Sequence, residues 1–295
     1  MPSEGRAGLS AHDTPIPENL PPLASRHTLA SMTGVPNPEP GNEAFWRDFL
    51  TRGDAGERRV RRIFKLLPQG PRCKLCAAPF AGVGAPLMRV IGKRPSDKNP
   101  DMCNSCFSFM ARHHGGAEIE CSFLFADIRG STTIAEGMTA TRFSGLLDRF
   151  YATATAVVFD HDGSVDKFVG DELVAMFFPL LSGPRHAAQA VEAARALLVA
   201  TGHSDPAGPW VPLGAGVHSG PAWVGAVGDE AHTELTALGD TVNTTARLAS
   251  VAKAGEILVS STAAVAAGLD GAHERRALEL KGKERSTEVV VLRVD

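Results

Sequence analysis

The stretch FLFADIRGST, running from Phe123 to Thr132, decides how this chain is read. Cys121 to Phe125 are apolar apart from Ser122, the pattern of a buried strand, and Asp127 falls where that strand ends. Packing does not explain an acid at that point. An unpaired buried carboxylate costs several kcal/mol and is normally ion-paired, hydrogen-bonded or bound to a metal. Gly130-Ser131-Thr132 follows, small enough for its backbone N–H groups to approach a phosphate before the next helix begins. The same letters also fit a plain turn and helix cap, so a second acid has to separate the two readings.

That acid is Asp171, in KFVGDELVAM from Lys167. The runs SVDKFVG and ELVAMFF read as two strands joined tightly around Gly170-Asp171, which places Asp171 at a hairpin tip where it can meet Asp127 across a metal. Two carboxylates plus phosphate oxygens suit Mg²⁺. Lys167 lies four residues before Asp171, and strand alternation aims both to one side. In LGDTVNTTAR from Leu238, Asn243 and Arg247 share one face of a helix. Arg suits a phosphoryl group whose charge grows during reaction, and Asn can hold a ribose oxygen.

From about residue 118 onward short apolar strands alternate with amphipathic helices. Phe143, Leu146, Leu147, Phe150, Ala154 and Val157 mark one helix face ended by Asp162-Gly163, and a second helix spans about Pro184 to Thr201. Strands are expected near Val211 to His218, Ala222 to Val227, Ile257 to Val259 and Glu288 to Val294, with a helix after Asp240. This order predicts an α+β fold with helices on one face of a largely antiparallel sheet.

Ahead of it the chain divides into three parts. Residues 1–40 hold eight prolines and no aromatic residue, which predicts a disordered leader. Residues 41–70 read as basic amphipathic helix, with Phe45, Trp46, Phe49 and Leu50, then Val60, Ile63, Phe64 and Leu67, at helical spacing. The interleaved Arg52, Arg58, Arg59, Arg61, Arg62 and Lys65 read as a solvated face, with a surface for nucleic acid or an anionic partner as the alternative. Residues 71–115 carry Cys73-x-x-Cys76 and, 26 residues on, Cys103-x-x-Cys106. Two such turns supply the four soft ligands of a structural Zn²⁺; an iron–sulfur or redox role and unligated thiols are the alternatives. Cys121 reads as a plain buried thiol.

Composition narrows the partners. A net charge of −3 does not suggest a nucleic-acid binder, and no apolar run approaches the roughly 18 residues of a membrane span. The first residues lack the layout of a signal peptide, so a soluble cytoplasmic protein is expected.

Taken together, FADIRGST, KFVGDE and LGDTVNTTAR resemble the three motif blocks of the class III nucleotidyl cyclases over roughly residues 118–295. The resemblance implies a ferredoxin-like core, a symmetric homodimer with composite sites at the subunit boundary, and conversion of ATP to 3′,5′-cyclic AMP and pyrophosphate. It further implies that Asp127 and Asp171, helped by the Ile128 carbonyl, hold two Mg²⁺ (or Mn²⁺), and that Asn243 orients the ribose while Arg247 stabilises the transition state. Lys167 and Thr236 would read the base, and Lys281, in LELKGK, would reach the triphosphate. Many adenylate cyclases carry Asp where this chain has Thr236; Thr is similar to the class IIIb subgroup related to bicarbonate-responsive cyclases. A Thr hydroxyl can accept from the adenine N6 amine and Lys can donate to N1. Guanylate cyclases typically place Glu at the position of Lys167, so GTP is the alternative substrate. A further alternative is a nucleotide sensor without turnover, whose zinc and basic front half binds nucleic acid or a protein partner.

Overall fold

The computed structural model describes residues 42–52, 55–67, 70–229, 233–269, 271, 273–280, 282–283 and 286–294. The predicted leader, residues 1–40, and Lys281 lie outside the described residues. The front half contains α1 (Asn42–Thr51), α2 (Ala55–Lys65), α3 (Ala85–Val90) and α4 (Asn104–Arg112). Then come β1 (Gly115–Ile128), α5 (Ser131–Glu136), α6 (Ala140–Asp160), β2 (Ser164–Val169), β3 (Glu172–Phe177), α7 (Pro179–Ser182) and α8 (His186–Ala200). The chain continues with β4 (Leu213–Gly228), β5 (Thr233–Leu238), α9 (Asp240–Val251), β6 (Ile257–Ser260), α10 (Ser261–Ala267), β7 (Glu274–Leu278) and β8 (Thr287–Leu292). No helix among the described residues is long and apolar enough to cross a membrane.

The strands form one sheet in the order β2-β3-β1-β4-β6-β8-β7, with β5 paired to β4. Its left half, β1-α6-β2-β3-α8-β4, is the βαββαβ unit of a ferredoxin-like fold, and among the described residues only β4 with β6 runs parallel. Alternation along β1 splits the core. Leu124, Ala126 and Ile128 pack with Phe150, Ala154 and Val158 of α6 and with the alanine- and leucine-rich face of α8. Phe123, Phe125 and Cys121 face the opposite way, and there the expectation of helices on one face needs extending. That second face is covered by the front half, with Trp46, Leu50, Phe107 and Met110 buried against it, and by α9.

Local chemistry sets these elements. The Thr139 side chain accepts from the Arg142 N–H to cap α6, and Ser260 accepts from Ala263 N–H to cap α10. The close seat of α9 depends on Gly216: a Cβ there would stand 2.5 Å from the Ala249 nitrogen, so any larger residue would lift the helix off β4. The two strands expected between Val211 and Val227 are one, β4, which continues through Pro221. Proline is tolerated because residues 218–222 have a ladder only toward β1, between the stretch paired with β6 and the stretch paired with β5. The basic stretch is two helices, and Arg61 is not on a solvated face. It is 5% exposed and donates to the carbonyls of Leu75 at 2.5 Å and Gly163 at 3.0 Å.

Candidate active site

Asp127 is the penultimate residue of β1 and sits opposite Glu172 in the antiparallel ladder with β3. The β2–β3 turn needs Gly170 at φ 60°, a conformation that an L side chain strains, and this brings Asp171 to the end of β1. There the Ile128 N–H donates to the Asp171 carbonyl at 3.4 Å. Asp127, Asp171 and Glu172 line one open surface pocket of about 460 Å³ together with Arg247 and Ser250 of α9. Two acids far apart in sequence therefore converge, as the hairpin reading required.

Two of the pocket's carboxyls are shifted by their surroundings. Burial pushes the Asp127 carboxyl up to about 6, with Arg129 pulling it down and neighbouring Asp171 pushing it further up. Glu172 is raised to about 7, first by burial and then by Asp127 and Asp171. A desolvated group of carboxylates that resist ionising beside one another is the donor set a hard divalent ion satisfies. Arg129 partly offsets the charge through a salt bridge to Asp127, while its Nη1 donates to the Ser250 carbonyl at 2.9 Å and so ties β1 to α9.

The base-reading candidates form a second group. Thr236 lies on β5 opposite Gly225, and its hydroxyl donates to Oδ2 of Asp166 at 3.0 Å. The Lys167 ammonium is 3.7 Å from the same oxygen. Neither Lys167 nor Thr236 lines the acid pocket, whereas Arg247 does within a single chain. Asn243 is exposed on α9, one turn before Arg247. His218 is held by Ser260 at 2.7 Å and pushed down to about 4, chiefly by burial, so it is a neutral structural imidazole. Glu172 and Arg129 were missed in the sequence, although each adjoins a residue singled out there.

The cysteines meet as well. The ligand atoms of Cys73, Cys76, Cys103 and Cys106 lie within 4.8 Å of one another, with Cys76 and Cys103 Sγ 3.7 Å apart. A tetrahedral ion with bonds of about 2.3 Å sets its sulfurs about 3.8 Å apart, so the donor set fits Zn²⁺. Local turns build the cluster. The Ala77 N–H donates to the Cys73 carbonyl with Ala77 at φ 62°, and Cys103 is the N-cap of α4. Hydrogen bonds from the other thiols drive Cys73 well below its ordinary value, and Lys93 and Arg61 lie close enough to feel the thiolate charge.

Residues 117–293 match the model of the adenylate and guanylate cyclase catalytic domain. The chain belongs to that family. Among curated relatives, this cyclase domain is similar to Adenylate cyclase 1 of Rhizobium meliloti (strain 1021), 34% identical over 191 residues, covering 62% of this chain and 29% of that protein. An uncharacterized protein of Mycobacterium tuberculosis (strain ATCC 25618 / H37Rv), Rv1319c, is 33% identical over 182 residues, covering 60% of this chain and 34% of that protein. The matched part of the chain thus spans about a third of those relatives or less. Among solved structures, the guanylyl cyclase Cya2 aligns with TM-score 0.55 and 27% identity over 60% of this chain and 93% of that one. The adenylyl cyclase CyaB from P. aeruginosa aligns with TM-score 0.54 and 26% identity over 61% and 96%. The fold is that of the class III cyclases, preceded by a helical region with a cysteine cluster.

Proposed function

We propose that this cyclase domain is an adenylate cyclase, forming 3′,5′-cyclic AMP and pyrophosphate from ATP at sites shared by two copies of the chain. The observation that carries the reading is the convergence of Asp127 and Asp171 on one pocket, where burial raises the Asp127 carboxyl. Asp127 and Asp171, with the Ile128 carbonyl, would hold two divalent ions. When bound, such ions lower the pKa of the ribose 3′-hydroxyl and steady the β- and γ-phosphates. Arg247 lies at the same pocket, suited to charge growing on the phosphoryl oxygens, and Asn243 would orient the ribose. Lys167 and Thr236 would read adenine, the ammonium donating to N1 and the hydroxyl accepting from N6. Lys281 is kept as a contact to the triphosphate.

The separation of Lys167 and Thr236 from the acid pocket supports a composite site, in which each chain lends its base readers to its partner's acids. Arg247 departs from that division, since it stands beside the acids of its own chain. The four cysteines would hold a structural Zn²⁺ that fixes the front half on the sheet.

The test is formation of cyclic AMP by purified protein with ATP and Mg²⁺ or Mn²⁺, and its loss in Asp127→Ala. Cyclic GMP formed faster from GTP would replace the adenylate reading with a guanylate one, the activity named for Cya2. Mixing Asp127→Ala with Asn243→Ala, each inactive alone, should restore activity; no recovery would remove the shared site.

A further inference from the structure

Asp166 is a buried acid with no role in the chemistry above. Its side chain is 6% exposed, and its Oδ1 is buried without a hydrogen-bond partner. A half-satisfied buried carboxylate is costly, and stability alone would favour its replacement. The fold nevertheless takes trouble to place it. The β2–β3 register shifts between Val165 and Lys167, so Asp166 is the extra residue of a β-bulge. The bulge lets consecutive residues serve one side of β2: Oδ2 of Asp166 lies 3.0 Å from the Thr236 hydroxyl and 3.7 Å from the Lys167 ammonium. Both proposed base readers are tied to a single oxygen.

The consequence concerns one proton. A threonine hydroxyl carries one donor and two acceptor sites, so Thr236 alone does not discriminate between purines. It can donate to a 6-keto oxygen as readily as it accepts from a 6-amino group. A carboxylate oxygen only accepts. With Asp166 as partner, the hydroxyl must spend its proton there and present lone pairs to the base.

We propose that Asp166 is the positioning residue for base selection, holding Thr236 as an obligate acceptor so that the site takes a 6-aminopurine and rejects a 6-oxopurine. The inference rests on the adenylate reading of the site and assigns its selectivity to a residue outside the base contacts themselves. Burial raises the Asp166 pKa above the ordinary aspartate value, while Lys167, the Thr236 hydrogen bond and Lys74 of the first cysteine turn oppose the rise. The cysteine turn also anchors the start of β2, where the Ser164 hydroxyl donates to the Lys74 carbonyl at 3.2 Å.

The experiment compares ATP, GTP and purine riboside triphosphate, which bears no group at C6, as substrates of the full chain and of Asp166→Asn. The amide of the variant can donate to Thr236 and release its proton toward the base. The ratio of kcat/KM for ATP over GTP should fall about tenfold or more, the scale of one mispaired buried polar group. Purine riboside triphosphate should change less than threefold. Asp166→Asn should have no further effect on the ratio in a Thr236→Val background, and Thr236→Ser should keep the wild-type ratio. Dissociation constants for ATP and GTP, measured in parallel, read the same ratio without turnover, and melting curves confirm folding. An unchanged ratio, or equal losses with all three nucleotides, would overturn the role of Asp166 and leave an ATP-selective wild type intact. A wild type that prefers GTP in both turnover and binding would overturn the adenylate reading and this inference together.

Discussion

The two candidate metal-binding clusters of this chain differ in almost every physical respect. The four thiols are drawn together within 4.8 Å by one short segment, most of them buried, with Arg61 and Lys93 near enough to compensate thiolate charge. The three carboxylates come from the ends of two strands, line an open pocket, and have Arg129 as a partial counter-charge. A donor set that closes on itself has no coordination position left for a reactant and serves the fold. An open set of hard oxygens, with Asp127 and Glu172 raised chiefly by burial, leaves room for exchangeable ligands.

That contrast is broken most directly at the acids. Asp127→Asn and Asp171→Asn should each lower cyclase activity by about a thousandfold or more. Neither should lower the melting temperature, because each removes like-charge repulsion. A loss of stability matching the loss of activity would make the acid cluster structural and erase the difference between the two sites.

The complementary substitution is Cys103→Ser. It should release the bound metal, read by elemental analysis against protein concentration, and cost on the order of 3–5 kcal/mol in urea unfolding. Wild-type protein that holds no metal after purification under reducing conditions, with Cys103→Ser equally stable, would show the thiols to be unligated.

Metal and pH sharpen the comparison further. Because the Asp127 and Glu172 values lie above those of unfolded carboxyls, metal-free protein should lose stability as pH rises from about 4 through the folded values of about 6 and 7. The loss should be on the order of 2 kcal/mol and be complete by about pH 8. Mg²⁺ should restore it at pH 8 and do little at pH 5. A melting temperature flat over this range, with no response to Mg²⁺, would mean that the carboxylates are relaxed by solvent.

Glu256 supplies the smallest effect and the opposite sign. Burial alone would raise its pKa, but hydrogen bonds from Arg276 at 3.1 Å and Arg293 at 2.8 Å outweigh it and bring the carboxyl to about 2. Its contribution should be present above the unfolded value near 4.5 and disappear as pH falls toward 2. Glu256→Gln should cost about 1 kcal/mol at pH 7 and less below pH 3. Equal costs at both pH values would show that packing, and not charge, is what Glu256 contributes.

Much of this architecture was legible from local pattern. The hairpin around Gly170-Asp171, the strand ending at Asp127 and the helix carrying Asn243 and Arg247 all follow from periodicity and turn chemistry acting over a few residues. The continuity of β4 through Pro221 was not legible, because it depends on which neighbour each part of the strand pairs with. Nor was the burial of Arg61, whose carbonyl partners include one from Gly163, more than a hundred residues away.

The sequence by itself determined the donor types, two pairs of soft thiols and two acids at strand ends, because side-chain chemistry and short-range spacing are written residue by residue. Only the tertiary structure decided that Glu172 and Arg129 join the acids, that the front half covers a sheet face, and that Thr236 gives its proton to Asp166. These depend on strand register and on one bulge, and a shift of a single residue in either would send every one of those side chains elsewhere.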